Sequence, residues 1–222
     1  MEWYDAHYRD LALLGEQGRL RRLIPSAGRD FSSNDYLGLA GSARLAEAAC
    51  EAIERGVPLG SGGSRLLRGN HAEHEALEEE AAHLFGSESA LYFSTGYAAN
   101  AALISTLPQR GDLLVHDALV HASAHEGMKL GRADHRSTAH NDPDAFADAI
   151  LAWRQAGGTG RVWIAVESLY SMDGDRAPLS ALVEIAARHD AFLLIDEAHA
   201  TGVFGPDGRG LASAYDGADN VI

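Results

Sequence analysis

The chain has 222 residues, a formal charge of −14 and 46% hydrophobic residues, enough length and apolar content for one large domain with a sizeable core. A balance this acidic excludes the basic stripe on which nucleic-acid binding depends, although local arginines can still receive a small anion. Cys50 is the single cysteine, so no intramolecular disulfide can form and a Cys-based zinc site is excluded in practice.

Residues 2–22 read as an amphipathic helix that closes on Arg19, Arg21 and Arg22, cations suited to the dipole of a last turn. The stretch lacks a secretory apolar core and no later run is long enough to cross a bilayer, which points to a cytoplasmic protein. Phe31–Leu39 is an extended segment and turn, and Ser42 caps a helix that Gly56 stops. Gly60–Asn70 is a glycine-rich run carrying Arg65 and Arg68. A helix follows to Phe85, closed by Gly86; His71, His74 and Glu75 have metal-ligand chemistry, but no second ligand set follows and no metal is expected.

Ala90–Phe93 reads as a strand that passes through Ser94-Thr95-Gly96 into a helix over Tyr97–Thr106. The pattern repeats as a strand over Asp112–Val115 and a helix over Ala122–Leu130. Asp142-Pro143 starts a helix to about Gln155, and Arg161–Val166 is a buried strand followed by Glu167 and the turn Ser171–Asp175. A helix over Pro178–His189 feeds the apolar strand from Ala191 that ends on Asp196. Apolar runs without two-residue alternation, separated by helices, predict an α/β fold with a mostly parallel sheet and helices on both faces.

Three features fall at strand C-termini, where open α/β sheets bind ligands: Ser94-Thr95-Gly96-Tyr97, Glu167 with Ser171, and Asp196 with His199. The first is a strand-to-helix junction whose free N–H groups can hold a phosphate. His121 follows its own strand to the same edge. A buried carboxylate such as Asp196 needs a cationic or hydrogen-bonding partner. These residues can surround a flat, phosphorylated heterocycle with a ring nitrogen.

The ordered set Phe31-Ser-Ser-Asn-Asp-Tyr-Leu-Gly38, Gly60-Ser-Gly-Gly-Ser-Arg65, Ser94-Thr-Gly-Tyr-Ala-Ala-Asn100, Ser171-Met-Asp-Gly-Asp175 and Asp196-Glu-Ala-His-Ala-Thr-Gly202 resembles the α-oxoamine synthases. These are pyridoxal 5′-phosphate (PLP) enzymes of the aspartate-aminotransferase fold, the type I fold of PLP-dependent transferases. The resemblance implies that residues 1–41 form an N-terminal helix and extended segment, and that 42–222 are an incomplete large PLP-binding domain without the family's small C-terminal domain. It implies that Asp196 pairs with the pyridinium nitrogen, His199 bonds the phenolic oxygen and His121 stacks on the ring and meets substrate. Gly96, Tyr97 and Ser171 would complete the cofactor pocket, and Arg21 would bind the acyl substrate, with Arg22 as its rival.

The Gly-Ser-Gly-Gly-Ser-Arg run with the helix after it looks most like members that condense L-alanine with pimeloyl-CoA or a pimeloyl-carrier protein to 8-amino-7-oxononanoate in biotin synthesis. The alternatives are another α-oxoamine synthase, such as one using glycine and acetyl-CoA, or a non-catalytic, lysine-free partner subunit. The resemblance also implies a homodimer. Lys129, the chain's one lysine, stands outside every matching motif. The family's reactive lysine is expected about six residues past Ile222, so the chain by itself is expected to be inactive.

Overall fold

The computed structural model describes residues 4–25 and 27–222. The chain divides into two compact units, Met1–Asp35 and Tyr36–Ile222. In the first, α1 spans Asp5–Glu16. The helix expected over 2–22 ends earlier because Gly18 adopts a left-handed φ of 66°, which breaks the α ladder. Arg19, Arg21 and Arg22 therefore follow the helix, and its last turn holds no basic residue. Residues 2 and 3 lie outside the described residues.

The second unit begins with α2 (Ala43–Glu54), where Ser42 Oγ accepts the Leu45 N–H at 3.3 Å. A short π-helical turn over Arg65–Gly69 precedes α3 (Ala72–Phe85), which Gly86 ends at φ 66°. Then come α4 (Gly96–Thr106), β1 (Leu113–Asp117), α5 (Ala122–Leu130) and β2 (Asp134–Thr138). They are followed by α6 (Pro143–Gln155), β3 (Val162–Glu167), α7 (Leu179–Arg188) and β4 (Ala191–Asp196). The four strands form one parallel sheet in the order β2-β1-β3-β4, with Val115 opposite Arg136 on one side and Ile164 on the other.

Alternate strand residues feed two cores. Leu113, Val115, Ile164 and Leu193 pack with Phe146 and Ile150 of α6 and Leu182 of α7. Leu114, Ala165 and Leu194 face the other way, against Ile104 of α4 and Met128 of α5. Each wholly buried leucine or isoleucine contributes about 2 kcal/mol relative to an exposed one. Both faces of the sheet are thus covered, as a fully buried parallel sheet requires.

Two strand expectations change. Ala90–Phe93 is not a strand: the Tyr92 N–H donates to Glu78 Oε1 at 2.7 Å and its carbonyl accepts from Arg65 Nη1 at 3.4 Å, so side chains take the place of a ladder partner. Conversely, β2 carries no apolar run (Asp-His-Arg-Ser-Thr) yet pairs along its whole length with β1. Beyond β4, Val221 makes a parallel bridge to Leu193, and the Ile222 N–H donates to the Leu193 carbonyl at 2.8 Å.

Candidate active site

A cavity of about 100 Å³ opens where α4 and α5 meet the C-terminal ends of β3 and β4, lined by Asn100, His121, Glu167 and Asp196 with Ile104 and Val120. Asp196 closes β4, and both its oxygens are held by neutral donors. Asn100 Nδ2 donates to Oδ2 at 2.6 Å and the Ala198 N–H to Oδ1 at 2.9 Å. The same Asn100 Nδ2 reaches Ser123 Oγ at 3.1 Å, tying α4 to α5 behind the carboxylate.

Glu167 is the register partner of Asp196 across the two strands and is 2% exposed. Burial, reinforced by the Asp196 charge, pushes its pKa up to about 7, against the pull of the Ser171 and His121 backbones. Its Oε1 is buried without a hydrogen-bond partner. Near neutral pH Glu167 is therefore only partly ionised.

The start of α4 supplies the opposite polarity. Thr95 Oγ1 caps the helix by accepting the Ala98 N–H at 3.0 Å, and the N–H groups of Gly96 and Tyr97 belong to the first turn, where no intrahelical acceptor exists. A Cβ placed on Gly96 would meet nothing within 4 Å, so an anion has a clear approach to this backbone. His121 is the N-cap of α5: its Nδ1 accepts the Ser123 N–H at 3.2 Å and lies 2.8 Å from Ser123 Oγ. That leaves Nε2 to carry the proton of the neutral ring. The ring meets Tyr97 edge-on with centroids 6.3 Å apart.

His199 and Ser171 line a second cleft, with Tyr36, Tyr170 and Phe204, of about 230 Å³. His199 Nδ1 lies 2.7 Å from the Tyr36 hydroxyl. Of the sequence-predicted residues, the structure thus gathers Asp196 and His121 in one cleft, with Tyr97 against His121. It sets His199 beside Ser171 in the other. Arg21 lies in the first unit, exposed and past the end of α1. Lys129 is exposed on α5 and pairs with Glu126 at 3.6 Å. His71 and His74 form the reciprocal cap of α3, His71 Nδ1 accepting the Glu73 N–H and His74 Nδ1 the His71 N–H.

Asn100 and Tyr36 were not among the sequence-predicted site residues. Asn100 had two available signals: it closes the Ser94–Asn100 motif, and it lies four residues after Gly96, on the same face of the helix. Tyr36 stands inside the Phe31–Gly38 motif, but nothing in the sequence ties it to His199, 163 residues away.

The pattern of the family "Aminotransferase class I and II" matches residues 28–222. The 8-amino-7-oxononanoate synthase of Azoarcus sp. (strain BH72) is 47% identical over 220 residues, covering 92% of this chain and 55% of the relative. That of Emericella nidulans is 45% identical over 202 residues, covering 85% and 49%. A lysine-to-alanine variant of serine palmitoyltransferase from S. paucimobilis, solved with a bound PLP–myriocin aldimine, superposes with a TM-score of 0.82 at 29% identity, covering 98% of this chain and 59% of that one. The chain spans about half the length of the curated relatives it matches.

Proposed function

Because the chain belongs to the aminotransferase class I and II family, among its α-oxoamine synthases, we propose that the full-length protein condenses L-alanine with a pimeloyl thioester to 8-amino-7-oxononanoate in biotin synthesis. One bond forms, between the alanine Cα and the pimeloyl carbonyl carbon. Two break, releasing the alanine carboxyl as CO₂ and the thiolate of coenzyme A or of a carrier protein. The thiolate takes up one proton, and the Cα proton lost on activation is replaced once CO₂ has left. The observation that carries this reading is Asp196: a cleft-lining carboxylate whose two contacts are neutral donors, with its negative charge left for a cationic N–H of a ligand.

The residues present suit PLP. Asp196 offers a counter-charge to a pyridinium N–H, and the open start of α4 at Gly96 and Tyr97 offers N–H groups and a favourable dipole to a phosphate. PLP, when bound, supplies an electron-accepting ring that stabilises negative charge at the amino-acid Cα. The protein side of that chemistry is positioning. Asn100 and the Ala198 N–H orient the Asp196 carboxylate, and Glu167, partly protonated, avoids a second full charge beside it. His121, fixed by its cap to α5, presents its ring to the cleft, and His199 is held through Nδ1 by Tyr36. We assign Ser171 to the cofactor pocket and Arg21 to the acyl substrate.

We further place the protein in the cytoplasm as a homodimer; among the described residues, no helix is long and apolar enough to cross a membrane. A second reading, another acyl donor within the same family, is favoured by the close superposition on serine palmitoyltransferase. Steady-state rates of the full-length protein decide between them. Alanine with pimeloyl-CoA or pimeloyl-carrier protein is expected to exceed serine with palmitoyl-CoA and glycine with acetyl-CoA. The reverse order overturns the biotin assignment.

A further inference from the structure

A second knot of ionisable groups lies where the β2–α6 and β3–α7 connections meet the end of β1. His140 places Nδ1 2.8 Å from Asp117 Oδ1 and Nε2 2.7 Å from Asp175 Oδ2. Asp117 is 1% exposed, and its other oxygen accepts the Asn141 N–H at 2.8 Å. Asn141 Nδ2 donates to Asp175 Oδ2 and to the Arg176 carbonyl. The Tyr170 ring stands edge-on to His140 with centroids 4.6 Å apart.

The number of protons on His140 decides whether this knot can close. A neutral imidazole has one N–H, so it satisfies one carboxylate and turns a lone pair towards the other. Only the imidazolium donates to both. Asp117 Oδ1 also accepts the Leu119 N–H at 2.8 Å, and Asn141 spends its amide group on Asp175 and Arg176. Asn141 Oδ1, Asp175 Oδ1 and the Tyr170 hydroxyl are themselves buried without a partner.

Asp175 belongs to the loop Leu169–Arg176, closed at its base by an antiparallel bridge between those two residues and by the Tyr170 N–H donating to the Asp175 carbonyl at 2.9 Å. Ser171, Met172 and Asp173 at its tip are exposed. We propose that His140, as an imidazolium, is the positioning residue that clamps this loop, and Ser171 with it, to the C-terminal edge of the sheet. The clamp acts through Asp175 on the loop side and is anchored on buried Asp117 at the end of β1. Its effect on cofactor affinity rests on the placement of Ser171 in the PLP pocket; the clamp itself does not.

The charged and titratable groups that face His140 are Asp117 from β1 and Asp175 and Tyr170 from the loop. Partial burial pulls the imidazole pKa down, but the hydrogen bonds to Asp117 and Asp175 outweigh it and hold it above the ordinary 6.5. A histidine raised in the folded state contributes its full stabilisation below its unfolded pKa and loses it as pH rises through the folded one. The clamp is therefore closed in mild acid and opens as pH rises through the raised imidazole pKa.

The test is amide hydrogen exchange of residues 171–175 in the full-length protein, corrected for intrinsic pH dependence. It is read in the parent, in His140→Leu and, should that variant fail to fold, in Asp175→Ala, which spares the buried Asp117 contact. The parent is expected to lose loop protection as pH rises, whereas the variants exchange about tenfold faster than the parent in mild acid and converge with it as pH rises, with β3 amides unchanged. PLP affinity of the same variants is expected to fall by a similar factor. Loop exchange that ignores pH in the parent and is unchanged in Asp175→Ala overturns the clamp. A freed loop with unchanged PLP affinity upholds the clamp and overturns the placement of Ser171 in the cofactor pocket.

Discussion

Glu167 and Asp196 sit opposite each other on adjacent parallel strands, two carboxylates side by side at the sheet edge that binds ligands. Burial and the Asp196 charge push Glu167 from an ordinary 4.5 to about 7. The native chain then holds a proton that the unfolded chain has lost, so stability declines as pH rises from about 4.5 to about 7. That span corresponds to about 3 kcal/mol. Glu167→Gln keeps the shape and removes the ionisation. Its denaturant midpoints at about pH 5 and about pH 8 are expected to draw together, leaving it more stable than the parent at the higher pH. A parent-like decline in the variant contradicts the account.

Asp112 behaves in the opposite sense at the far edge of the sheet. It accepts the N–H of Gln109 at 2.9 Å, that of Arg161 at 2.9 Å and Trp163 Nε1 at 3.1 Å. Burial raises its pKa, but these bonds outweigh burial and leave it below the ordinary carboxylate value. Its stabilisation is present above the unfolded pKa and is lost as pH falls through the folded one. Asp112→Ala orphans three donors and is expected to cost about 2–4 kcal/mol by urea denaturation at neutral pH. A change below about 0.5 kcal/mol contradicts the role given to this carboxylate.

Gly127 lets α5 rest on α4 through bare backbone. A Cβ there would stand 2.8 Å from Ile104 Cβ and 3.1 Å from the Ala101 carbonyl oxygen. Gly127→Ala must push the helices apart, at about 1–3 kcal/mol. Because α4 carries Asn100 and α5 starts at His121, the shift also strains the Asn100–Ser123 bond. Lower urea midpoints together with weaker PLP binding are expected; parent-like values for both contradict the packing described.

Much of the fold was legible because its signals are local. The Asp142-Pro143 cap and the apolar runs of β3 and β4 fall within a few residues of the observed boundaries. The polar β2 has no such run, and its pairing with β1 is a tertiary event that its own residues do not announce. Ala90–Phe93 fails the other way: it has strand composition but hydrogen-bonds to Glu78 and Arg65 in place of another strand. In the site, Asp196 and His121 were readable as residues that follow buried strands. Asn100 acquires its meaning only when folding brings it to Asp196, 96 residues away.

The most direct test of the central claim is the rate of 8-amino-7-oxononanoate formation from L-alanine and a pimeloyl thioester by full-length Asp196→Ala protein at saturating PLP. With the carboxylate gone, the cleft offers a ligand N–H no negative charge at that position, and the rate is expected to fall by roughly a thousandfold. A rate equal to that of the parent contradicts the assignment of Asp196 and, with it, the function proposed for the chain.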